Sequence, residues 1–259
     1  MRRLVRSPLS DPELDWLAEQ TAKILDRPED EQKAEADRLW ISAKKNQAKN
    51  PLRQVQQKLQ GMCSGRERCM YCEDSQGSAI EHFWPHAKAP WLTFVWENLN
   101  YACAHCNTHK KADFPLDPQT HEPLLLNPTA EDPLEHLVLT PHTGEFAPRL
   151  APSTSLQSPR GQASIKTFDL NRAILAAGRR DTWASLQVLI CAYDASVQSD
   201  DTQRAERIAT VLRAHPFSSV LIHLLHEAAA SQAAQRTTPL DPACVAALGR
   251  RPEIAAWVA

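Results

Sequence analysis

The chain has 259 residues, and its 29 basic and 31 acidic side chains leave a formal net charge of −2. This balance excludes a protein that binds nucleic acid through an overall basic field, so any such binding has to come from local patches. Seven glycines and nineteen prolines predict helices joined by proline-punctuated connections rather than by glycine-rich β-turns.

The seven cysteines indicate reduced thiols rather than a disulfide framework. Their number is odd, and four of them form two Cys-x-x-Cys pairs, Cys69/Cys72 and Cys103/Cys106. The first residues carry positive charge without an apolar core, so they do not resemble a secretory signal. No apolar run approaches the roughly 20 residues that cross a bilayer. We therefore expect a soluble, cytoplasmic protein with no membrane partner.

Residues 1–60 are predicted to form an N-terminal helical region. Asp11 followed by Pro12 is a helix start signal, with Asp11 as the candidate N-cap. A second helix is expected from near Pro28, with apolar residues at helical spacing until Asn50. A shorter third helix should run from Pro51 to Leu59 and stop at Gly61.

A basic run follows the acidic stretch of the second helix and leads toward the first cysteine pair. Such a run is either a solvated helix face or a track that contacts phosphate groups, and the charge pattern alone favours neither. Its members are Arg38, Lys44, Lys45, Lys49, Arg53, Lys58, Arg66 and Arg68.

Residues 61–115 are organised around the two cysteine pairs. Four thiolates presented by two tight knuckles, Cys69/Cys72 and Cys103/Cys106, are the ligand set of a tetrahedral structural Zn²⁺. The gap between the pairs exceeds the roughly 15–20 residues of a simple zinc ribbon, which leaves room for a functional segment. Ser78 to Phe83 is predicted as a strand, Trp91 to Trp96 as a second strand or extended loop, and Asn107 as the start of a helix.

The rest of the chain is predicted as a connector, 116–160, and a C-terminal helical region, 161–259. The connector should contain a hairpin with its turn from Pro141 to Gly144. Asn171 is the candidate N-cap of a long helix that follows. His223 and His226 flank an apolar stripe, so we expect them to pack or to lie at the surface rather than to bind a metal.

The segment between and after the cysteine pairs carries the residue types that phosphodiester hydrolysis needs. A histidine can activate water, and a divalent cation with oxygen ligands can neutralise the phosphate and the leaving oxygen. His82 offers the base, Glu81 and Asn107 offer oxygen atoms, and Lys110 and Lys111 can contact phosphate. On an extended strand Glu81 and His82 point to opposite sides, so both reach one pocket only if the strand bends there.

The motifs IEHFWP, W-x-N-L and C-x-x-C-N-x-x-K, in that order, resemble an HNH nuclease of the ββα-metal fold with a four-cysteine zinc support. The resemblance implies a mainly helical α+β protein with a small zinc-supported nuclease core. It implies His82 as the general base, Glu81 and Asn107 as ligands of a catalytic Mg²⁺ or Mn²⁺, and Asn98 as the residue that orients the loop carrying the base. Glu81 stands where aspartate is commoner in the family, and Asn107 where histidine is commoner.

Further motifs extend this resemblance to the PtuB nucleases of the Septu antiphage systems. WENLNYACAHCNTHKKADFPL, EPLLLNPTAEDPLEHL and IKTFDLNRAILAAGRR carry it as far as Arg180. It implies nucleic acid as substrate and a separate PtuA-like ATPase as partner. The chain has no G-x-x-x-x-G-K-[ST] phosphate loop, so it should not hydrolyse nucleoside triphosphates itself. DNA is the first expectation for the substrate, and tRNA, which related retron-linked nucleases cleave, is the alternative.

A binding module without catalysis is the rival class. A zinc-stabilised adaptor would keep the cysteines and the basic run but would not need Glu81, His82 and Asn107 together. The roles of His86 and His109 stay open: His109 lies equally well at a metal, at a phosphate or on an exposed helix face.

Overall fold

A computed structural model describes residues 1–74, 76–151, 155–234 and 238–257. Over these residues the chain is mainly helical, with two small two-stranded sheets, as expected for the α+β class. The helices are α1 (Asp11–Leu25), α2 (Glu29–Lys45), α3 (Leu52–Met62), α4 (Ala104–Ala112), α5 (Pro159–Thr167), α6 (Ala173–Gln198), α7 (Thr202–Arg213), α8 (Ser218–Ala234), α9 (Pro242–Arg250) and α10 (Glu253–Ala256). The strands are β1 (Ala79–His82), β2 (Leu99–Ala102), β3 (Leu137–Thr140) and β4 (Glu145–Pro148).

The three N-terminal helices form where the start signals predict them. Ser10, one residue before the predicted cap, closes a capping box with Glu13, whose carboxylate accepts from the Ser10 backbone N–H at 2.8 Å. Asn50 fixes the connection between α2 and α3. Its side-chain amide donates to the Ala43 carbonyl, and its side-chain oxygen accepts from the Leu52 N–H. The predicted stop at Gly61 is wrong, since α3 continues to Met62.

The apolar faces of α1, α2 and α3 meet residues of the central segment in an N-terminal core. This core holds Leu17, Ile24, Leu39, Trp40, Leu52, Val55 and Leu59 from the helices, and Ile80, Phe94, Leu99 and Tyr101 from the central segment. A larger C-terminal core is continuous from the cysteine pairs to Ile254 and takes in side chains of α6, α7, α8 and α9.

Strands β1 and β2 pair antiparallel between the two cores, with Glu81 opposite Asn100 and His82 opposite Leu99. Side chains alternate across a strand, so Ile80 and His82 lie toward the N-terminal core while Glu81 lies on the other face. Of the two alternatives predicted for Trp91–Trp96, the structure shows the loop and not the second strand. The stretch begins within a short 3₁₀ turn, Pro90–Leu92, and ends at the start of another, Trp96–Asn98, and the partner strand β2 follows them.

The predicted hairpin around Pro141 to Gly144 is confirmed as β3 and β4. Gly144 has a φ of +72°, and a Cβ there would lie 1.9 Å from the carbonyl oxygen of Ala176, so the turn packs on α6 only with glycine. Buried Arg179 fixes this contact by donating to the Gly144 carbonyl at 2.6 Å. Asn171 binds the Phe146 backbone instead of capping α6, and Arg172 takes the cap position.

Over the described parts of the chain, no single helix is long and apolar enough to span a membrane. The pair Thr202–Arg213 and 218–231 meets the length and hydropathy requirement together, with a bend of 107° between its helices.

Candidate nuclease site

The four paired cysteines converge on one point, as the spacing predicts. Cys69 and Cys72 lie in the turn before β1, Cys103 caps α4, and Cys106 lies in its first turn. Their sulfur atoms all lie within 4.8 Å of one another, and Cys72 Sγ is 3.9 Å from Cys103 Sγ. A tetrahedral zinc with Zn–S bonds of 2.3 Å holds its sulfurs about 3.8 Å apart. The buried cluster therefore fits a structural Zn²⁺ between β1 and α4.

Arg172 supplies positive charge beside this thiol cluster. Burial acts to lower the pKa of its guanidinium, but its hydrogen bond to Cys72 and the neighbouring thiols raise it overall. Four thiolates around one Zn²⁺ carry a net charge of −2, so the neighbouring positive charge of Arg172 stabilises the thiolate form of the cysteines.

A cleft of about 380 Å³ opens on the other side of β1, between α2, the end of the strand and α4. Its lining includes Trp40, Lys44, His82, His86, Asn107 and Lys111. The cleft thus combines residues of the predicted catalytic set with two side chains of α2, which lies outside the motif region.

His82 is held in this cleft in a defined orientation. Its Nε2 is 3.0 Å from the carbonyl oxygen of Thr93. A carbonyl oxygen only accepts, so Nε2 carries the proton and Nδ1 is left as a lone-pair base. The edge of Trp40 packs against the imidazole at a centroid distance of 4.4 Å. Burial, together with the charges of His86 and two nearby lysines, lowers the pKa of His82 to about 3, so the ring is neutral at pH 7.

Asn98 ties down the loop that separates His82 from β2. Its amide donates to the carbonyls of Trp84 at 3.1 Å and Leu92 at 3.0 Å, and its oxygen accepts from the Trp84 N–H at 2.7 Å. Three hydrogen bonds from one buried side chain fix both ends of the loop. The contacts agree with the positioning role that the resemblance implies for Asn98.

Glu81 lies on the opposite face of β1 from His82 in a buried network with Lys110, and both residues also border the cleft. Its Oε1 is 2.6 Å from Lys110 Nζ, its Oε2 accepts from the Tyr71 hydroxyl at 2.6 Å, and both charged side chains are at most 2% exposed. The prediction of Lys110 as a phosphate contact disagrees with this geometry, because the ammonium is enclosed and also donates to the His82 carbonyl at 2.6 Å. Lys110 therefore connects α4 to β1 through buried contacts with Glu81 and the His82 carbonyl.

Asn107 and Lys111 both line the cleft. Asn107 is half-buried, and its side chain makes no hydrogen bond with the described residues, while Lys111 is exposed at the rim. Asn107 and Glu81 are oxygen donors of the type that Mg²⁺ and Mn²⁺ prefer. The Asn107 oxygen is open to a cation, whereas Glu81 could bind one only after Lys110 releases its Oε1.

Some residues at or beside the cleft could not be predicted from any sequence motif. Asp37 lies with Oδ1 3.2 Å from His86 Nδ1, and the rings of His86 and His82 stack with centroids 5.3 Å apart. Asp37 and Trp40 belong to α2, more than forty residues before His82, so no motif spacing connects them to the site. Among the basic run, Lys44 alone lines the cleft.

His105 and His109 lie apart from the cleft residues. Their rings stack at 4.1 Å, the Nδ1 of His109 is 2.9 Å from the His105 carbonyl, and His105 Nε2 is 3.4 Å from Asp169. His109 is exposed on α4, which is one of the three settings left open for it by the sequence. Buried His223 packs against Phe146, as expected for a packing residue.

Comparison with known proteins supports one relationship. No protein-family model matches the chain. The Septu protein PtuB of Bacillus mycoides (strain KBAB4) is 31% identical over 154 residues, which cover 48% of this chain and 49% of that protein. The chain therefore spans about half the length of this curated relative. The resemblance predicted from the motifs is confirmed to this extent: the chain is similar to PtuB over about half of its length.

Proposed function

We propose that the chain is an HNH-type nuclease that hydrolyses phosphodiester bonds of nucleic acid as the effector of an antiphage defence complex. DNA is the proposed substrate and a PtuA-like ATPase the proposed partner, both from the similarity to PtuB. The observation that carries the proposal is His82, a neutral histidine with Nδ1 free in a cleft whose rim bears Lys44 and Lys111.

The order β1, β2, α4, with the thiol cluster at their junction, supports a ββα-metal arrangement. In the proposed reaction His82 Nδ1 takes a proton from water while the Thr93 carbonyl holds Nε2–H and so fixes the ring. Asn98 keeps the loop in place. The ammonium groups of Lys44 and Lys111 attract the phosphate backbone.

Asn107, with Glu81 once Lys110 has released it, would hold the catalytic Mg²⁺ or Mn²⁺. When bound, such a cation neutralises the phosphate oxygens and the leaving oxygen. The structural Zn²⁺ is proposed to have no part in the chemistry and to stabilise the junction of β1 and α4.

The decisive experiment is cleavage of a panel of duplex DNA, single-stranded DNA and tRNA with Mg²⁺ or Mn²⁺, with and without the partner ATPase. His82→Ala should lower the cleavage rate by about 10²-fold or more, the range of a lost general base. His109→Ala is the matched control, because this exposed histidine lies outside the cleft. The preferred substrate distinguishes a DNA nuclease from a tRNA nuclease.

A zinc-stabilised adaptor without catalysis is the second candidate. The buried Lys110–Glu81 pair favours it, because a predicted cation ligand is already neutralised inside the protein. If the wild-type protein with its partner cleaves no substrate of the panel under either metal, yet retards nucleic acid in a gel, the adaptor replaces the nuclease.

A further inference from the structure

A second acid–base pair lies in the cleft beside His82. His86 and His82 are stacked nearly parallel, with ring centroids 5.3 Å apart and an angle of 13° between the planes. The Nδ1 of His86 is buried and lies 3.2 Å from Asp37 Oδ1, an ion-pair distance at which the two groups make no aligned hydrogen bond. The His86 side chain is 31% exposed, so the ring is held on its inner side while part of it stays open to the cleft.

This arrangement gives the two histidines different partners and different proton states. Nε2 of His82 faces a carbonyl, which leaves Nδ1 without a proton. Nδ1 of His86 faces a carboxylate, which favours a proton on that nitrogen, so Nε2 has a proton to transfer when His86 is in the imidazolium form. A carboxylate beside an imidazole also stabilises the imidazolium form, so the pair in the cleft is divided into a base and a candidate acid.

The charges around His86 come from two elements, α2 and α4. Asp37 on α2 stabilises the imidazolium, and it is shared with Lys33, whose Nζ is 3.2 Å from Oδ2. Burial lowers the pKa of His86, Asp37 raises it, and the lysines of α2 and α4 lower it, with a net decrease. A phosphate group entering the cleft adds negative charge and acts in the same direction as Asp37.

We propose that His86, oriented by Asp37, is the general acid that protonates the leaving oxygen of the phosphodiester. This inference rests on the nuclease function proposed above. Water attacks phosphorus and gives its proton to His82 Nδ1, the bond from phosphorus to the leaving oxygen breaks, and that oxygen takes the proton from His86 Nε2. His82 then releases a proton to solvent and His86 regains one, so the cycle closes without a further reactant.

The distance between the two rings is compatible with His82 acting as the base and His86 as the acid. In a displacement with the attacking and leaving oxygens in line, the two groups that serve these oxygens lie on either side of phosphorus. Pairs of metal ions that do so are about 3.5–4 Å apart. The imidazole centroids are 5.3 Å apart, which is about 1.3–1.8 Å more than such a metal pair, and a longer separation is expected because each ring reaches its oxygen through a proton rather than by direct coordination.

The test compares two substrates that differ in their need for an acid. A nucleic-acid phosphodiester has a poor leaving oxygen, whereas bis(p-nitrophenyl) phosphate releases a phenolate that needs no proton. His86→Ala should lower kcat/KM on the best nucleic-acid substrate by about 10²-fold or more and change it on the phenyl ester by less than about threefold. His82→Ala should lower both, because every phosphodiester requires an activated water.

Asp37→Asn provides a second variant if His86→Ala folds poorly. It should show the same substrate-dependent split with a smaller loss, while Asp30→Asn, an exposed change on the same helix, should leave both rates unchanged. Equal losses on the two substrates in His86→Ala and Asp37→Asn overturn the acid assignment but leave the nuclease function intact. A wild-type protein that hydrolyses neither substrate overturns the nuclease function and this assignment with it.

Discussion

At the scale of single residues, strand β1 places two adjacent polar side chains in different environments. His82 faces the cleft, and Glu81 faces a buried network with Lys110 and Tyr71. The motif predicts a functional role for both residues, and the alternation of side chains along a strand predicts that they point to opposite faces. The pairing with Lys110 could not be predicted, because a lysine three residues after Asn107 equally well reaches outward to phosphate.

The Lys110–Glu81 pair is expected to be strongly coupled. Removing one partner of a buried ion pair costs about 3–5 kcal/mol, because the other charge stays buried without compensation. Lys110→Met should therefore destabilise the protein by that amount, measured by urea unfolding at pH 7. Glu81→Gln combined with Lys110→Met should recover a large part of the loss, since the amide still accepts from Tyr71.

Lys111→Met is the control for that cycle. This neighbour on α4 is exposed, so its replacement should change the free energy of unfolding by less than about 0.5 kcal/mol. Additive effects of the two buried substitutions would show that Glu81 and Lys110 do not depend on each other.

At the scale of elements, the sequence predicted those segments whose own residues carry the signal. The start signal before Pro12 placed α1, and Pro28 with the apolar spacing placed α2. The turn residues placed the β3–β4 hairpin, and the cysteine spacing placed the thiol cluster. For Trp91–Trp96 the sequence left a strand and a loop open, because its aromatic and β-branched residues favour a strand. The hydrogen bonds of Asn98 to Trp84 and Leu92 instead close this stretch into a loop, and such long-range bonds leave no local pattern.

The thiol cluster joins the turn before β1 to the start of α4, so its metal should hold these elements together. Apparent binding free energies of structural zinc are about 10–16 kcal/mol in small zinc domains and count toward folding. Cys103→Ser should therefore lose zinc, measured by elemental analysis, and should lose protection of the β1–β2 amides in hydrogen exchange.

Cys191→Ser supplies the matched control for zinc loss. Cys191 is half-buried on α6 and lies outside the thiol cluster, so this variant should keep its zinc. Absence of zinc from intact wild-type protein prepared without chelators would rule out the metal assignment.

At the scale of the whole molecule, the nuclease motif is embedded between two cores rather than attached to helical flanks. Helix α2, which packs in the N-terminal core, supplies Trp40 to the cleft and places Asp37 beside His86. The C-terminal core joins the cysteine pairs to α6, α8 and α9. Removal of the last sixty residues would therefore expose the core that carries the thiol cluster. A partner surface is better sought by single substitutions of exposed residues.

The same packing makes stability dependent on pH through buried histidines. Burial lowers the pKa of His223 to about 3, with added repulsion from nearby positive charges, and His82 has a similar value. In the unfolded chain both titrate near 6.5. Between about pH 6.5 and 3 the unfolded state therefore binds more protons, so stability is full above this window and falls as the pH decreases through it.

Each buried histidine contributes up to about 1.4 kcal/mol per pH unit to this acid destabilisation. His223→Leu should remove one such contribution and flatten the dependence of the unfolding free energy on pH between 6.5 and 4, measured by urea unfolding. All other titratable groups are the same in wild type and His223→Leu, so the difference between their two pH curves reports the contribution of His223. Parallel pH curves for wild type and variant would show that His223 accepts its proton in the folded state, by opening the contact with Phe146 to solvent.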